Sequence, residues 1–162
     1  MTLGFTQTIN NNASYFVEKI TKSIPGITPK AVDLAIKAGY EFNNLVYLKV
    51  APKIHTARED KKGLWYPGMK INAVINNRTN RRCQFVPDMP CIHTQTMVIN
   101  WGYDPKTAQF DLPMVLIDGK EIKGKVLDQL AVNDGFENRA EFFQYFNQNW
   151  SGKLIHWTNF KY

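Results

Sequence analysis

The stretch "KIHTARED" (53–60) follows Pro52 and places six polar residues around only two apolar ones. A strand that merely packs against a core alternates apolar and polar residues, and a solvated helix pairs opposite charges at three- or four-residue spacing. This stretch follows neither pattern. We therefore treat it as a candidate site and examine what its side chains could do.

A bend of the backbone just after Pro52 would allow Lys53 and Thr56 to act together. In one straight strand the two side chains would point to opposite faces, because side chains alternate with period two. If the chain turns before His55 and becomes extended at Thr56, the amine and the hydroxyl converge, and Arg58 projects to the same side. We expect the Lys53 amine within hydrogen-bond reach of Thr56, or one water away, in a concave site.

This arrangement would suit nucleophilic catalysis. A hydroxyl is a weak nucleophile until a base takes its proton, and an amine acts as that base only when burial or another cation lowers its pKa. The spacing leaves a structural alternative open, in which Lys53 is solvated and Thr56 caps a strand.

The composition predicts one globular domain of 162 residues, long enough to bury roughly two thirds of its unfolded surface. Two cysteines, Cys83 and Cys91, are too few for a disulfide framework and indicate a reducing compartment, although one bridge stays open. The sequence shows neither a signal-peptide pattern nor a membrane-spanning run of ~20 apolar residues. We therefore expect a cytoplasmic protein without membrane contact.

The net charge of +6 is concentrated in residues 53–82, which hold eight Lys or Arg and two acids, while the rest of the chain is balanced. Lys and Arg neutralise phosphates, so the window predicts a phosphate-bearing partner, with an idle basic loop as the alternative. The clearest phosphate contacts are the arginines of the turn "NNRTNRR" (76–82), namely Arg78, Arg81 and Arg82; a solvated turn is the alternative there.

Other side chains have simpler expected roles. One exposed ring, Trp65 or Phe85, is expected to stack on a ligand base. No metal is expected, because the spacing of Cys83, Cys91 and His93 does not fit the paired ligands of structural zinc. His156 alternates with apolar residues in a strand and is interpreted as a structural histidine with its hydrogen bonds satisfied.

The elements predict an α+β fold built on a small, bent sheet or β-barrel with helices packed at its ends. Helices are expected at 15–24, at 29–39 with Thr28 as N-cap, and at 138–149 with Asn138 as N-cap. The buried stripe of the second helix is expected to be Val32, Ala35 and Ile36. Strands are expected at 3–9, 69–75, 91–101, 110–117 and 152–160.

The pattern Lys53-x-x-Thr56-x-Arg58, followed by "LWYPGMKI" (64–71), resembles the signature of the ASCH domain, a branch of the PUA-like superfamily. The runs "LAVNDGFENRAEFFQYF" (130–146) and "GKLIHWTNFKY" (152–162) are also similar to ASCH-type proteins of bacteria and their phages. The resemblance covers most of a single domain, residues 1–162, with a probable helical insertion at about 27–40.

The resemblance implies a bent β-barrel with a cleft lined by the Lys/Thr/Arg segment. PUA-like domains are associated with RNA, and one ASCH subfamily comprises amidohydrolases that remove the acetyl group from N(4)-acetylcytidine. In that subfamily a Lys base, a Thr nucleophile and a downstream Glu are the proposed catalytic set. Lys53 and Thr56 match, whereas Asp134 stands where the Glu is expected and is one methylene shorter; a ~1 Å misplacement can cost about a hundredfold in rate.

Two of these residues have alternative roles. Asp134 precedes Gly135 and could instead cap a turn leading into the next helix. Arg58 could anchor a carboxylate, such as Asp134 or Glu59, or present its guanidinium to a phosphate or a base edge.

The sequence thus predicts an RNA- or nucleoside-recognising ASCH protein that hydrolyses an acylated nucleobase such as N(4)-acetylcytidine, without cofactor or metal. The catalytic residues would be Lys53, Thr56 and Asp134, and the ligand-binding residues Arg58, Trp65, Arg78, Arg81 and Arg82. One alternative is a noncatalytic module that binds RNA or a modified nucleotide in the same cleft. Another is a phage effector that binds a host protein.

Overall fold

The computed structural model describes residues 1–104, 109–110 and 113–162. The helices are α1 (Phe16–Lys22), α2 (Thr28–Lys37), α3 (Asn44–Lys49), α4 (Gly124–Asn133) and α5 (Arg139–Tyr145). The strands are β1 (Thr2–Gly4), β2 (Thr8–Ile9), β3 (Asn12–Ala13), β4 (His55–Arg58), β5 (Lys70–Ile75), β6 (Cys83–Gln84), β7 (Met89–Pro90), β8 (His93–Asn100), β9 (Tyr103–Asp104), β10 (Gln109–Phe110), β11 (Met114–Ile117), β12 (Lys120–Ile122) and β13 (Trp150–His156).

The largest sheet has five antiparallel strands in the order β12-β11-β8-β13-β4. A second sheet is centred on β5, which pairs with β1 in parallel and with β6 and β7 antiparallel. The mixed helix-and-strand architecture is as predicted from the sequence. Among the described residues no sheet closes on itself into a barrel.

Strand β8 shows why these segments form strands. Its residues alternate between buried and more exposed positions along its whole length, with His93, Gln95, Met97 and Ile99 on the buried face. This period-two pattern is typical of a strand with one face on a core. The strand lies between β11 and β13 and thereby forms the middle of the five-stranded sheet.

The helices differ from the sequence prediction in several places. The predicted N-cap role of Thr28 was wrong, because α2 begins at Thr28 itself and its hydroxyl lies 2.9 Å from the Tyr47 hydroxyl instead of capping the helix. Helix α3 was not predicted. In α2 Ala31 and Ala35 are buried, Val32 is half-buried and Ile36 is 58% exposed, so the predicted stripe was right at Ala35 and wrong at Ile36. Helix α4 was not predicted, although Leu127, Leu130 and Ala131 have helical spacing and are buried. The predicted N-cap of α5 is confirmed, since the Asn138 side chain accepts a hydrogen bond from the Glu141 backbone N–H.

Three further observations bear on the sequence predictions. Within the described residues, no helix has the length and apolar character required to cross a membrane. Both Cys83 and Cys91 are free thiols. Of the predicted strand 110–117, residues 111 and 112 lie outside the described residues, and β11 forms its second half.

Candidate active site

The backbone around Lys53 is held between two helices before β4 begins. The Lys53 N–H donates to the carbonyl of Lys19 in α1 at 3.0 Å, and the Ile54 N–H donates to the carbonyl of Asn133, the last residue of α4, at 3.0 Å. The chain then joins β13 as strand β4 from His55 onward. The predicted turn between Pro52 and His55 is not present: residues 51–54 form neither a turn nor a bend, and the strand begins at His55. The two hydrogen bonds to α1 and α4 hold this segment instead.

A cavity of about 180 Å³ opens beside this segment. Its polar lining includes Lys53, Thr56, Arg58 and Asp134, and its aromatic lining includes Phe16, Phe136, Tyr145 and Phe146. Lys53, Thr56 and Arg58 thus meet at one concave site, as the sequence predicted. The cavity also brings Asp134 to them from the opposite end of the chain.

Lys53 is 1% exposed, and its hydrogen bonds run to Asp134. Its ammonium donates to Asp134 Oδ1 at 2.5 Å and also to the backbone carbonyl of the same residue. Among the described residues no direct hydrogen bond joins Lys53 to Thr56, and the predicted contact through one water stays a prediction. The physical reason is that a buried ammonium is stabilised far more by a carboxylate than by a neutral hydroxyl.

The pKa values of this pair follow from burial and charge. Burial lowers the pKa of Lys53 to about 8, partly opposed by Asp134 and assisted by the positive charges of Arg58 and Lys19. Burial alone would raise the pKa of Asp134, but the charge of Lys53 and the neighbouring His55 outweigh it and hold that pKa below its ordinary value. The site therefore combines an ionised carboxylate with an amine that releases its proton unusually easily.

Asp134 is held in place by its position at the end of α4. It is the C-cap residue of that helix and lies in the turn that follows, but its carboxylate bonds to Lys53 and not to that turn, so the alternative role as a turn cap was wrong. Its carboxylate also accepts from the Ala57 N–H at 3.2 Å. The next residue, Gly135, has φ of +94°, and a Cβ there would lie 2.7 Å from Phe16 and 3.0 Å from the Lys53 side chain. The absence of a side chain at 135 thus allows Lys53 to approach.

Arg58 contacts neither of the carboxylates considered from the sequence. Its guanidinium donates to the Gly4 carbonyl at 2.8 Å and lies 5.5 Å from the centre of the Phe5 ring. It remains part of the cavity lining, and these contacts hold its planar group beside the opening.

The predicted stacking rings are not accessible. Trp65 is 6% exposed and Phe85 is fully buried, so both belong to the core, and neither offers a ring face to a ligand. Of the aromatic rings that line the cavity, Tyr145 is the accessible one, with 49% of its surface exposed. Its signal in the sequence was its place in the aromatic run "FFQYF" (142–146), where it is the one ring with a polar hydroxyl.

The arginines of the predicted phosphate contact are exposed on the turn between β5 and β6. Arg78 lines a neighbouring depression that shares Gly4 and Thr6 with the cavity. Arg81 and Arg82 line a separate cleft. The structure therefore places Arg78 next to the site and the other two farther along the turn.

Behind the site, the three histidines form one row across the large sheet. His156 pairs in register with His93 on β8 and with His55 on β4. All three are buried, and burial lowers the pKa of each. His55 Nε2 is 2.8 Å from the Tyr162 hydroxyl, but both ring nitrogens of His93 and His156 lack a partner among the described residues. The prediction that His156 has its hydrogen bonds satisfied was therefore wrong.

No group of three or more His, Cys, Asp or Glu suited to a metal ion occurs in the described part of the chain. Comparison of the chain with known protein families, with curated proteins and with solved structures gives no significant match.

Proposed function

We propose that this protein is an ASCH-type amidohydrolase that removes an acyl group from a nucleobase such as that of N(4)-acetylcytidine. The observation that carries the proposal is a fully buried lysine with a pKa of about 8 that lines one small cavity with a threonine. Roughly a tenth of such amines are neutral at pH 7 and can accept a proton. In this proposal the two sheets are parts of a PUA-like bent barrel.

In the proposed reaction, Thr56 Oγ1 attacks the acyl carbonyl carbon and its proton passes to the neutral Lys53 amine. The carbon–nitrogen bond then breaks, the exocyclic nitrogen takes the proton from Lys53, and the acyl group remains on Thr56 as an ester. Lys53 next takes a proton from a water molecule, whose oxygen attacks the ester carbon. The bond from that carbon to Thr56 Oγ1 then breaks, and Lys53 returns the proton to Oγ1. Acylated base and water thus yield the free base and a carboxylic acid.

Asp134 would orient the Lys53 amine during these steps. Its side chain is one methylene shorter than the Glu of the family pattern, yet its carboxylate lies 2.5 Å from the amine. The backbone of Asp134 itself borders the amine, which also donates to its carbonyl. This close approach of the backbone offsets the shorter side chain and supports a role for Asp134 in the proposed set.

The size of the cavity supports a single-ring substrate. At about 180 Å³ it is smaller than the ~300–1,000 Å³ of typical pockets for drug-sized ligands. A pyrimidine with its acyl group would enter, while the sugar and phosphate would stay outside. Aromatic lining residues suit the ring faces, and the charged residues suit the polar edge.

A noncatalytic binding module is the second candidate, and one observation favours it. The hydrogen bonds of Lys53 go to Asp134 and, within the described residues, none goes to Thr56, which is how a structural ion pair would look. The same cavity would then hold a modified base without converting it.

Incubation of the purified protein with N(4)-acetylcytidine, followed by chromatography, separates the two candidates. The hydrolase predicts conversion to cytidine that Thr56→Val abolishes and Thr56→Ser retains in part, since only serine keeps a hydroxyl. If high protein concentrations give no conversion although the nucleoside binds, the hydrolase is wrong and the module remains.

A further inference from the structure

A second cleft lies between the C-terminal end of α2 and the turn that joins β5 to β6. Its volume is about 550 Å³, and its lining includes the cations Lys37, Arg81 and Arg82. Leu34 and Cys83 form part of the floor, and the Cys83 thiol donates to the Leu34 carbonyl at 3.4 Å. One wall of the cleft therefore belongs to the helix that the sequence marked as an insertion.

The three cations are available for an anionic ligand. All are exposed, and in the described part of the chain none forms an ion pair with an acidic side chain. The cleft lining contains no acidic residue. The C-terminal end of a helix contributes about half a negative charge, which three full positive charges outweigh.

The turn that carries the arginines is held in shape by its own hydrogen bonds. The Thr79 hydroxyl donates to the Asn76 carbonyl at 2.8 Å and accepts from the Arg81 N–H at 3.1 Å. The Arg82 N–H donates to the Thr79 carbonyl at 3.2 Å. These bonds order the backbone while leaving the guanidinium groups free to contact a ligand, so less ordering is needed on binding.

The same turn also borders the candidate active site. On its other side Asn76, Asn77 and Arg78 line a depression of about 440 Å³. Gly4 and Thr6 line both this depression and the Lys53 cavity. A positively charged surface therefore leads from the cavity past Arg78 and around the turn to the cleft.

We propose that this surface binds the phosphate backbone of a single-stranded RNA whose acylated base occupies the Lys53 cavity. The preferred substrate is then a base within an oligonucleotide, which binds more tightly than the free nucleoside, and α2 serves as the far wall of the backbone-binding cleft. The proposal of the substrate class rests on the proposed function. Binding of the strand by the cleft can be tested without it.

The binding test measures the anisotropy of a fluorescein-labelled RNA of about ten nucleotides at several salt concentrations. Each phosphate neutralised in a single strand contributes about −0.7 to the slope of log K against log salt, so Lys37→Gln/Arg81→Gln/Arg82→Gln should make the slope shallower by about 2. The control, Lys62→Gln/Lys120→Gln/Lys125→Gln, removes the same charge at exposed positions outside the clefts described above. If both triple variants change the slope equally, the cleft is not a binding site.

The turnover test compares free N(4)-acetylcytidine with an oligonucleotide that contains it. The wild type should convert the oligonucleotide with the lower KM. The cleft variant should raise KM for the oligonucleotide at least about tenfold, whereas the control variant Lys62→Gln/Lys120→Gln/Lys125→Gln should change it much less. Equal kinetics of the variant and the wild type on the oligonucleotide would overturn the substrate assignment. If neither substrate is converted by the wild type, the proposed function fails, and the salt slope still decides whether the cleft binds the strand.

Discussion

The ammonium of Lys53 lies 2.5 Å from the carboxylate of Asp134, although 81 positions separate the two residues in the chain. Both side chains are almost completely buried. The pair joins the segment that begins β4 to the end of α4 and occupies one side of the candidate active site. Burial of both charges makes each partner necessary to the other.

Loss of one partner should therefore destabilise the fold. Asp134→Asn leaves a buried ammonium without its counter-charge and should lower the free energy of unfolding by about 3–5 kcal/mol, measured by urea denaturation. Replacing both residues, as in Lys53→Met/Asp134→Leu, should cost less than the sum of the single changes. The exposed pair Lys61 and Glu59 serves as control, and its removal should have almost no effect. If the loss of stability in the double variant equals the sum of the two single losses, Lys53 and Asp134 are not energetically coupled.

The pH dependence of hydrolysis should report the Lys53 amine. If Lys53 acts as the base, only its neutral form is active, and kcat/KM for N(4)-acetylcytidine should rise with pH and level off above about 8. The measurement is a series of initial rates across this range, with stability checked at each pH. A rate that stays constant between about pH 6 and 8 would exclude this assignment.

The histidine row should make the fold sensitive to acid. The rings of His55 and His156 lie beside Tyr162, the charge of Lys161 acts on His93 and His156, and His55 Nδ1 is 3.7 Å from the Asp134 carboxylate. Because burial lowers the folded-state pKa values, the unfolded chain binds more protons below about pH 6.5, and stability falls as pH falls. Each histidine that stays neutral contributes up to about 1.4 kcal/mol per pH unit.

The variant His156→Phe tests this expectation. In this variant the free energy of unfolding should fall less steeply as the pH drops from about 6.5 to 5. The slope should be smaller by up to about 1.4 kcal/mol per pH unit, measured by urea denaturation at each pH. The pKa of Asp134 is held below its ordinary value by the charge of Lys53, so this carboxylate does not obscure the effect. An unchanged pH profile would show that His156 is protonated in the folded state or does not contribute.

Tyr145 should supply ring contact to the ligand. Tyr145→Ala should weaken binding of N(4)-acetylcytidine by roughly 1–3 kcal/mol, measured by calorimetry, whereas Tyr145→Phe should retain most of the affinity. Tyr66 is 58% exposed and does not line the cavity, so Tyr66→Ala is the matched control. Equal losses at positions 66 and 145 would remove Tyr145 from the site.

Gly135 should tolerate no side chain. Gly135→Ala adds a methyl group that overlaps Phe16 and approaches Lys53 in a backbone conformation with positive φ. We expect a loss of stability larger by about 1–3 kcal/mol than that of Gly119→Ala. Gly119 also has positive φ, but a methyl group added there would meet nothing within 4 Å, so it isolates the backbone strain. Similar thermal denaturation curves for the two variants would contradict a steric role.

Local sequence features predicted the parts of this protein that depend on neighbouring residues. The N-cap at Asn138 and the alternating pattern of β8 follow from side-chain bonds and periodicity within a few positions. The exposure of each aromatic ring cannot be predicted from such local patterns. Trp65 lies in a basic loop of the sequence yet is buried in the hydrophobic core, while Tyr145 stays accessible within an aromatic helix.

The sequence by itself determined that Lys53, Thr56 and Arg58 share one segment and that positive charge is concentrated around it. Only the tertiary structure decided that Asp134, and not Thr56, takes the hydrogen bonds of the Lys53 ammonium. The physical reason is that desolvation makes a buried cation depend on an opposite charge, and the packing of α4 against the β4 segment brings that charge from a distant part of the chain.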